Sequence, residues 1–280
     1  MTVAALVASI PSPSSGSVHL GPLKFNAYGL MIALGVLAAL RITARRGESR
    51  GLFTSDQLSS VAVWAVPAGV VGARMYHVVT DLESFRGHWF DAVKIWEGGL
   101  GIWGGVFLGV VVGMWRASRV GVDPWWGASM AVPGIAVAQA IGRWGNWWNQ
   151  ELFGRPTTLP WALRVSPHAA IEAGYGAGTT FHPTFLYESL WCLLLAWLLV
   201  RIEEKWSPAR GRLVAFYVAG YTLERFFVEG LRIDPAHHAG GLRLNQWVSI
   251  VGFTLSVGFL LVGSRRSRGG SAPSTVNPHE

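Results

Sequence analysis

Long apolar runs separated by short polar segments dominate the chain. A helix that crosses a bilayer needs about 20 mainly apolar residues, and seven stretches come close to this length: residues 25–43, 58–79, 99–116, 126–143, 185–201, 212–231 and 244–263. The first is the clearest, because it holds no charge before Arg41, whereas Arg74 interrupts the second and Glu224, Arg225 and Glu229 interrupt the sixth. The pattern predicts an all-α, polytopic membrane protein with about seven transmembrane helices.

Composition and charge support this fold class. Hydrophobic residues make up 51% of the 280 residues and charged residues only 14%, compared with roughly 25% charged residues in soluble domains. The net charge of +7 is concentrated in four segments that each follow an apolar run: residues 41–50, 116–119, 201–212 and 265–268. This is the positive-inside pattern and not a nucleic-acid surface. It predicts an outer N terminus and a cytoplasmic C terminus.

The same pattern divides the chain into segments. We expect residues 1–20 to be a flexible outer segment, residues 21–263 to form a single transmembrane domain, and residues 264–280 to be a basic cytoplasmic tail. Residues 144–184 connect the fourth and fifth spans and hold many aromatic side chains, which favours a folded arm at the outer face over disorder. Cys192 is the only cysteine, so no intrachain disulfide is possible, and we expect it to be a packing residue.

Charges inside the sixth span point to a functional site, since an ionisable group at bilayer depth costs about 2.5–3.5 kcal/mol. Helical geometry places four of its polar residues within about an 80° arc: Tyr221, Arg225, Glu229 and Arg232. Arg225 and Glu229 are four residues apart and are expected to pair. One face of this helix therefore carries a polar stripe.

Further polar residues fall at the ends of other spans on the predicted outer side: Tyr28, Arg143, Asn146, Glu151, His182 and Glu188. Two arginines on separate helices, Arg143 and Arg225, repel each other unless an anion lies between them. Lipid phosphate is the abundant anion there, and guanidinium groups bind it through paired donors. The pattern predicts a site for an anionic lipid in the outer leaflet. Alternatively the charges are structural ion pairs, a reading that suits Glu188, Glu224 and Arg74 best.

The residues around Arg143 resemble a known family. Residues 142–155 read Gly-Arg-Trp-Gly-Asn-Trp-Trp-Asn-Gln-Glu-Leu-Phe-Gly-Arg, which is similar to the conserved motif of prolipoprotein diacylglyceryl transferases. Weaker matches follow the family's order at residues 25–31, 72–76, 96–100, 182–188, 221–232 and 245–246. The resemblance extends over nearly all of the predicted membrane domain.

The resemblance implies a seven-helix enzyme of the bacterial cytoplasmic membrane. Such an enzyme moves the diacylglyceryl group of phosphatidylglycerol to the lipobox cysteine of a prolipoprotein, so that a thioether forms and glycerol phosphate leaves. It implies that Arg143 and Arg225 are essential and that other residues support substrate binding: Tyr28, Asn146, Glu151, Gly154, Tyr221 and Glu229. One departure is Trp103, which stands where the family often has a histidine proposed as the base for the thiol.

The chemistry needs a thiolate and a stabilised leaving phosphate. The positive field of Arg143 and Arg225 serves both needs, with Glu229 or His182 as the candidate proton acceptor. We expect no cofactor and no metal, because His237 and His238 have no carboxylate at ligand spacing. A transporter or flippase for an anionic lipid or phosphate compound is the alternative function, and a purely structural membrane protein is a third.

Overall fold

The structure is a computed structural model that describes residues 9–20, 23–95 and 99–268. Its described part contains eight α-helices: α1 (Ala27–Ser49), α2 (Ser55–Thr80), α3 (Ile102–Arg119), α4 (Pro124–Asn149), α5 (Pro167–Glu172), α6 (Thr184–Trp206), α7 (Arg212–Leu231) and α8 (Leu244–Arg268). Apart from the short α5, these helices follow the order of the seven apolar stretches. The predicted helical fold class is confirmed.

Four segments are long and apolar enough to cross a membrane: Ala27–Ser49, Ser55–Thr80, Thr184–Trp206 and Leu244–Val262. Large apolar side chains also point outward from the helices, and about 70% of the surface of Val63, Phe107 and Leu255 is exposed. Exposed apolar surface on this scale is unfavourable in water. The structure is therefore that of a membrane protein.

In the described ranges the helices are accompanied by seven short strands: β1 (Ile10–Pro11), β2 (Ser17–Leu20), β3 (Leu23–Asn26), β4 (Leu163–Arg164), β5 (Thr180–Phe181), β6 (His238–Ala239) and β7 (Leu242–Arg243). β1 pairs in parallel with β4, which pairs antiparallel with β5. β2 with β3 and β6 with β7 form two antiparallel hairpins. Residues 9–20, which belong to the segment expected to be flexible, thus include two strands.

Some predictions concern residues that the structure does not describe. Residues 1–8 of the N-terminal segment, residues 96–98 of the match at 96–100 and residues 269–280 of the basic tail lie outside the described part. Residues 264–268, the start of the predicted tail, continue helix α8.

The chain divides into two compact units, with boundaries inside α1 and α4. Residues 36–135 form one unit, in which α2 packs closely on α3. Glycines make this approach possible, because a Cβ atom added to Gly72 would lie 2.4 Å from the carbonyl oxygen of Gly104. Close backbone contact through small residues is a common way for membrane helices to associate. Arg74 lies in this unit and donates to the carbonyl oxygens of Ala92 and Gly99, at 2.8 and 3.0 Å.

The second unit contains the described residues up to 35 and from 136 onward. In it α6 packs on α7, and α7 packs on α8. The indole Nε1 of Trp191 in α6 donates to the carbonyl oxygen of Gly220 in α7 at 2.9 Å. The arm between α4 and α6 is stabilised by a buried apolar cluster: Phe153, Leu163, Val165, Ala170, Phe181 and Phe185.

We expect Gly104→Ala to destabilise the first unit, because the added Cβ would lie 2.2 Å from the carbonyl oxygen of Gly72. Overpacking of this kind costs roughly 1–3 kcal/mol. The measurement is the apparent melting temperature in detergent. Gly258→Ala in α8 is the matched control, since its added Cβ meets no atom within 4 Å. Equal melting temperatures for the two variants would contradict the close packing of α2 on α3.

Candidate active site

Helix α7 presents its polar residues as the sequence predicts. Arg225 Nη2 donates to Glu229 Oε2 at 2.6 Å, and Arg232 Nη1 lies 3.5 Å from the same oxygen. These contacts join residues four and three positions apart, which share one face of a helix. The predicted pairing of Arg225 with Glu229 is confirmed.

Arg143 and Arg225 come together through a third helix. Arg143 Nη2 at the end of α4 lies 2.7 Å from Glu188 Oε2 in α6, and Arg225 Nη1 in α7 lies 3.2 Å from the same oxygen. Only 2% of the Glu188 side chain is exposed. An anion does lie between the two arginines, as electrostatics requires, but in the structure it is a protein carboxylate. The prediction that Glu188 forms an ion pair is confirmed.

Glu229 is the centre of a second cluster, and its side chain is fully buried. Its Oε1 accepts from Arg243 Nε at 2.8 Å and from Asn245 Nδ2 at 3.2 Å, while its Oε2 faces Arg225 and Arg232. Both carboxylate oxygens are therefore occupied. This makes Glu229 a support for the arginines and a poor candidate for the proton acceptor.

Asp234 completes the cluster beyond the end of α7. Its carboxylate accepts from Arg232 Nε at 2.7 Å and from Arg243 Nη2 at 2.9 Å. Burial alone would raise the pKa of Asp234, but the hydrogen bond from Arg232 and the charges of Arg232 and Arg243 outweigh it and lower that pKa. Asp234 thus stays ionised and holds the loop after α7 against the start of α8.

We call the linked side chains the ion network: Arg143, Glu188, Arg225, Glu229, Arg232, Asp234 and Arg243. Its four guanidinium groups face three carboxylates, so these seven side chains carry one excess positive charge. Such a cluster in an apolar helix bundle attracts an anion.

The Arg143 guanidinium has N–H groups that are not used in hydrogen bonds to the described residues and can donate to a ligand. Its Nη2 contacts Glu188 and lies 3.5 Å from the Tyr221 hydroxyl. Within the described residues, no hydrogen bond is made by its Nε or Nη1, although only 17% of the side chain is exposed. Because buried guanidinium donors are normally satisfied, Arg143 is the group in this unit best placed to bind an incoming anion.

A strained turn positions Glu151 after α4. Its neighbours Gln150 and Leu152 have φ angles of 55° and 58°, and such left-handed residues cost about 1–3 kcal/mol each. The Gln150 side chain compensates by donating to the carbonyl oxygen of Pro13 and accepting from the backbone N–H of Ser166. The turn directs Glu151 Oε1 to Asn146 Nδ2, at 2.8 Å. Asn146 and Glu151 are thus fixed as a pair.

Close packing explains two further residues of the matched motif. The ring of Tyr28 lies over Gly145, where a Cβ would be 2.2 Å from the ring. The Gly154 backbone runs between α6 and α7, so that a Cβ there would lie 2.8 Å from His182 Cβ and 3.3 Å from the carbonyl oxygen of Leu231. Both positions need the small residue, and Gly154 makes no side-chain contact with a substrate group.

His182 lies just before α6 and bonds within the arm. Its Nδ1 is 3.1 Å from the Tyr187 hydroxyl, which accepts from Trp161 Nε1 and therefore has its own proton to give to His182. Burial and then the charge of Arg155 lower the pKa of His182, so the imidazole is neutral. No hydrogen bond joins it to Arg143 or Arg225 in the described part of the chain.

The candidate site residues predicted from the sequence omit four members of the network: Glu188, Arg232, Asp234 and Arg243. Arg232 is predicted only as part of the polar stripe of the sixth span. Glu188 ends the match at residues 182–188 and belongs to the polar residues on the predicted outer side, but the sequence favours a structural ion pair for it. Asp234 and Arg243 were not singled out, because they flank a loop and reach Arg232 and Glu229 only in the folded chain. The available signal was their charge beside a predicted span.

Apolar helices around a buried ion network define a multi-pass membrane protein with a charged site inside its helix bundle. The comparisons with known proteins specify it further. The family model for prolipoprotein diacylglyceryl transferase matches residues 16–262. The chain belongs to this family, and it is a transferase.

Individual relatives agree with the family match. A phosphatidylglycerol–prolipoprotein diacylglyceryl transferase of Streptomyces griseus is 48% identical over 264 residues, which cover 92% of this chain and 79% of the relative. One of Cutibacterium acnes is 46% identical over 275 residues, which cover 97% of this chain and 92% of the relative. These matches support the transferase and give no support to the alternative of a transporter or flippase.

We expect Glu229→Gln to destabilise the second unit, because it leaves the buried Arg225, Arg232 and Arg243 without their shared counter-charge. Breaking a buried ion pair costs about 3–5 kcal/mol. Thermal unfolding in detergent measures the effect. Glu204→Gln is the control, since Glu204 pairs with Arg201 at the surface with 55% of its side chain exposed, and it is expected to be neutral. A Glu229→Gln protein as stable as this control would refute the central role of Glu229.

Proposed function

We propose that Arg143 and Arg225 bind the phosphate of phosphatidylglycerol while its diacylglyceryl group moves to the lipobox cysteine of a prolipoprotein. One observation carries this assignment: two guanidinium groups from different helices meet at one carboxylate oxygen, and one of them keeps unused donors. Planar guanidinium groups bind phosphate through several parallel hydrogen bonds. The lipid phosphate then accepts hydrogen bonds from the Arg143 donors that make none to the described residues.

The reaction is a displacement at the glycerol carbon that carries the phosphodiester. The thiol must lose its proton, since the thiolate is the nucleophile and a free thiol has a pKa of about 8.5. Sulfur then bonds to the glycerol carbon, the carbon–oxygen bond breaks, and its electron pair leaves with glycerol phosphate. The guanidinium groups of Arg143 and Arg225 stabilise both the thiolate and the departing phosphate.

The remaining residues of the site hold the arginines in place. Arg225 forms ion pairs with Glu188 and Glu229: its Nη1 lies 3.2 Å from Glu188 Oε2 and its Nη2 lies 2.6 Å from Glu229 Oε2. The Tyr221 hydroxyl lies 3.5 Å from Arg143 Nη2. Asn146 and Glu151 form a rigid pair at the end of α4, near Tyr28, and we assign them to the lipid headgroup. His182 belongs to the arm that borders the site.

We also propose that the seven long helices all cross the bacterial cytoplasmic membrane, with the N terminus and the arm outside. The distribution of basic residues supports this orientation, because they lie at the C-terminal ends of α1, α3, α6 and α8. The site at the arm-side end of α4, α6 and α7 then faces the outer leaflet, where the prolipoprotein cysteine emerges.

We expect Arg143→Gln and Arg225→Gln each to lower transfer about 10²–10³-fold, the loss typical when one donor to developing charge is removed. The assay follows labelled diacylglycerol from phosphatidylglycerol to a lipobox peptide with purified protein. Arg143→Lys should also transfer slowly, because a lysine ammonium keeps the positive charge but lacks the paired, planar N–H donors of a guanidinium. Arg201→Gln, at an exposed pair, serves as the control. Full turnover by Arg143→Gln would overturn the mechanism.

Orientation has its own test. Cys192 is buried, so a cysteine placed on the surface becomes the reactive one. Ala177→Cys in the arm should react with a membrane-impermeant maleimide in intact cells, whereas Ala209→Cys between α6 and α7 should react only after the membrane is opened; both positions are exposed. The reverse labelling pattern would show that the orientation is inverted.

A further inference from the structure

Among the residues that the structure describes, Glu224 in α7 is a buried carboxyl group without a hydrogen-bond partner. Its residue surface is 6% exposed, and neither carboxylate oxygen has a hydrogen-bond partner among the described residues. Leaving a buried polar group unsatisfied costs about 1–3 kcal/mol, and more when it is charged. Such a group in a native structure requires an explanation. The prediction that Glu224 forms a structural ion pair is not met within the described part of the chain.

The position of Glu224 links it to the site. It precedes Arg225 in the chain, and the charged groups that act on it electrostatically are Glu188, Arg143 and Arg225. It also acts on Cys192 of α6, one turn beyond Glu188. Glu224 is therefore close enough to both arginines to interact with their charges, although it makes no hydrogen bond to either of them in the described part of the chain.

Glu224 differs from the neighbouring acids in that its carboxylate oxygens accept no hydrogen bond from the described residues. Glu188 Oε2 accepts from both Arg143 and Arg225, and Glu229 is engaged through both oxygens. Protonation of either would weaken an ion pair that positions an arginine. Glu224 loses no contact when it takes up a proton, because no donor occupies its oxygens.

The ring nitrogen of His182 is a weaker alternative. Its Nδ1 is already engaged with the Tyr187 hydroxyl at 3.1 Å. Its backbone N–H donates to the Arg155 carbonyl, and its carbonyl accepts from the N–H groups of Gly154 and Thr184. These contacts tie the residue into the arm and leave it a packing role.

We propose that Glu224 is the proton acceptor for the prolipoprotein thiol, an inference that rests on the transfer reaction proposed above. The S–H proton passes to a carboxylate oxygen of Glu224, and the sulfur electron pair forms the bond to the glycerol carbon. The carbon–oxygen bond breaks and its electron pair stays on the phosphate oxygen. Glu224 then returns its proton to the released glycerol phosphate, which restores the carboxylate for the next cycle.

The test compares two peptides that differ in one atom. A lipobox peptide with selenocysteine in place of cysteine brings a selenol that is already ionised at neutral pH and needs no base. With the cysteine peptide, Glu224→Gln should lower kcat about 10²–10⁴-fold, the usual contribution of general base catalysis, with little change in the KM for phosphatidylglycerol. With the selenocysteine peptide, the same variant should work within a few-fold of the wild type.

A pH profile gives a second readout. The rate of Glu224→Gln with the cysteine peptide should rise with pH up to the pKa of the thiol, because free thiolate replaces the lost base. Arg143→Gln is the contrasting variant and should be slow with both peptides, since its defect lies in phosphate binding. Selenocysteine rescue limited to Glu224→Gln would support the assignment.

Other outcomes would overturn it. Full activity of Glu224→Gln with the cysteine peptide would exclude Glu224 as the acceptor, and an equal loss with both peptides would assign it a structural role. A wild-type protein that transfers to neither peptide would instead refute the proposed function. Glu224→Asp provides a folded variant that keeps the carboxyl, and it should retain more activity with cysteine than Glu224→Gln does.

Discussion

One carboxylate oxygen shared by two guanidinium groups determines how the site is built. Glu188 Oε2 contacts Arg143 at 2.7 Å and Arg225 at 3.2 Å, and its side chain is almost entirely buried. Without that charge the two arginines would repel each other in a medium of low dielectric. Apolar helices in lipid gain little from hydrophobic contact with one another, so packing and polar contacts direct their association. The shared oxygen therefore fixes the ends of α4, α6 and α7 together.

The two arginines are held to different degrees, and this difference suits them to different tasks. Arg225 lies between Glu188 and Glu229, and Glu229 is in turn held by Arg243 in β7 and Asn245 in α8. Arg143 is held through Nη2 alone in the part of the chain described. The rigid group sets the geometry, and the other retains donors for the substrate. A preorganised cation that need not rearrange during the reaction is the main source of electrostatic catalysis.

Local patterns in the sequence predicted the helices and the polar face of α7, because both follow from helical periodicity. The fourth stretch was predicted to end at residue 143, whereas α4 continues to Asn149; polar side chains such as Asn146 end an apolar run without ending a helix. The ion pairs between Arg143 and Glu188 and between Glu229 and Arg243 join residues that are distant in the chain. Residue spacing therefore could not predict them. The left-handed backbone at Gln150 and Leu152 could not be predicted either, since neither residue is a glycine.

Trp103 occupies the position where the resemblance expects a basic histidine, and it is half exposed. Either a different residue accepts the thiol proton or no base of that kind is required, and charge balance favours an acceptor inside the apolar bundle. A proton lost to water would leave an added negative charge beside the lipid, which is costly where the dielectric is low. A proton passed to Glu224 stays within the site, so charge moves between sulfur, phosphate and carboxyl without any net change. A buried carboxyl group without a hydrogen-bond partner in the described residues destabilises the folded protein. The proposed proton transfer to Glu224 gives a reason for its presence near the two arginines.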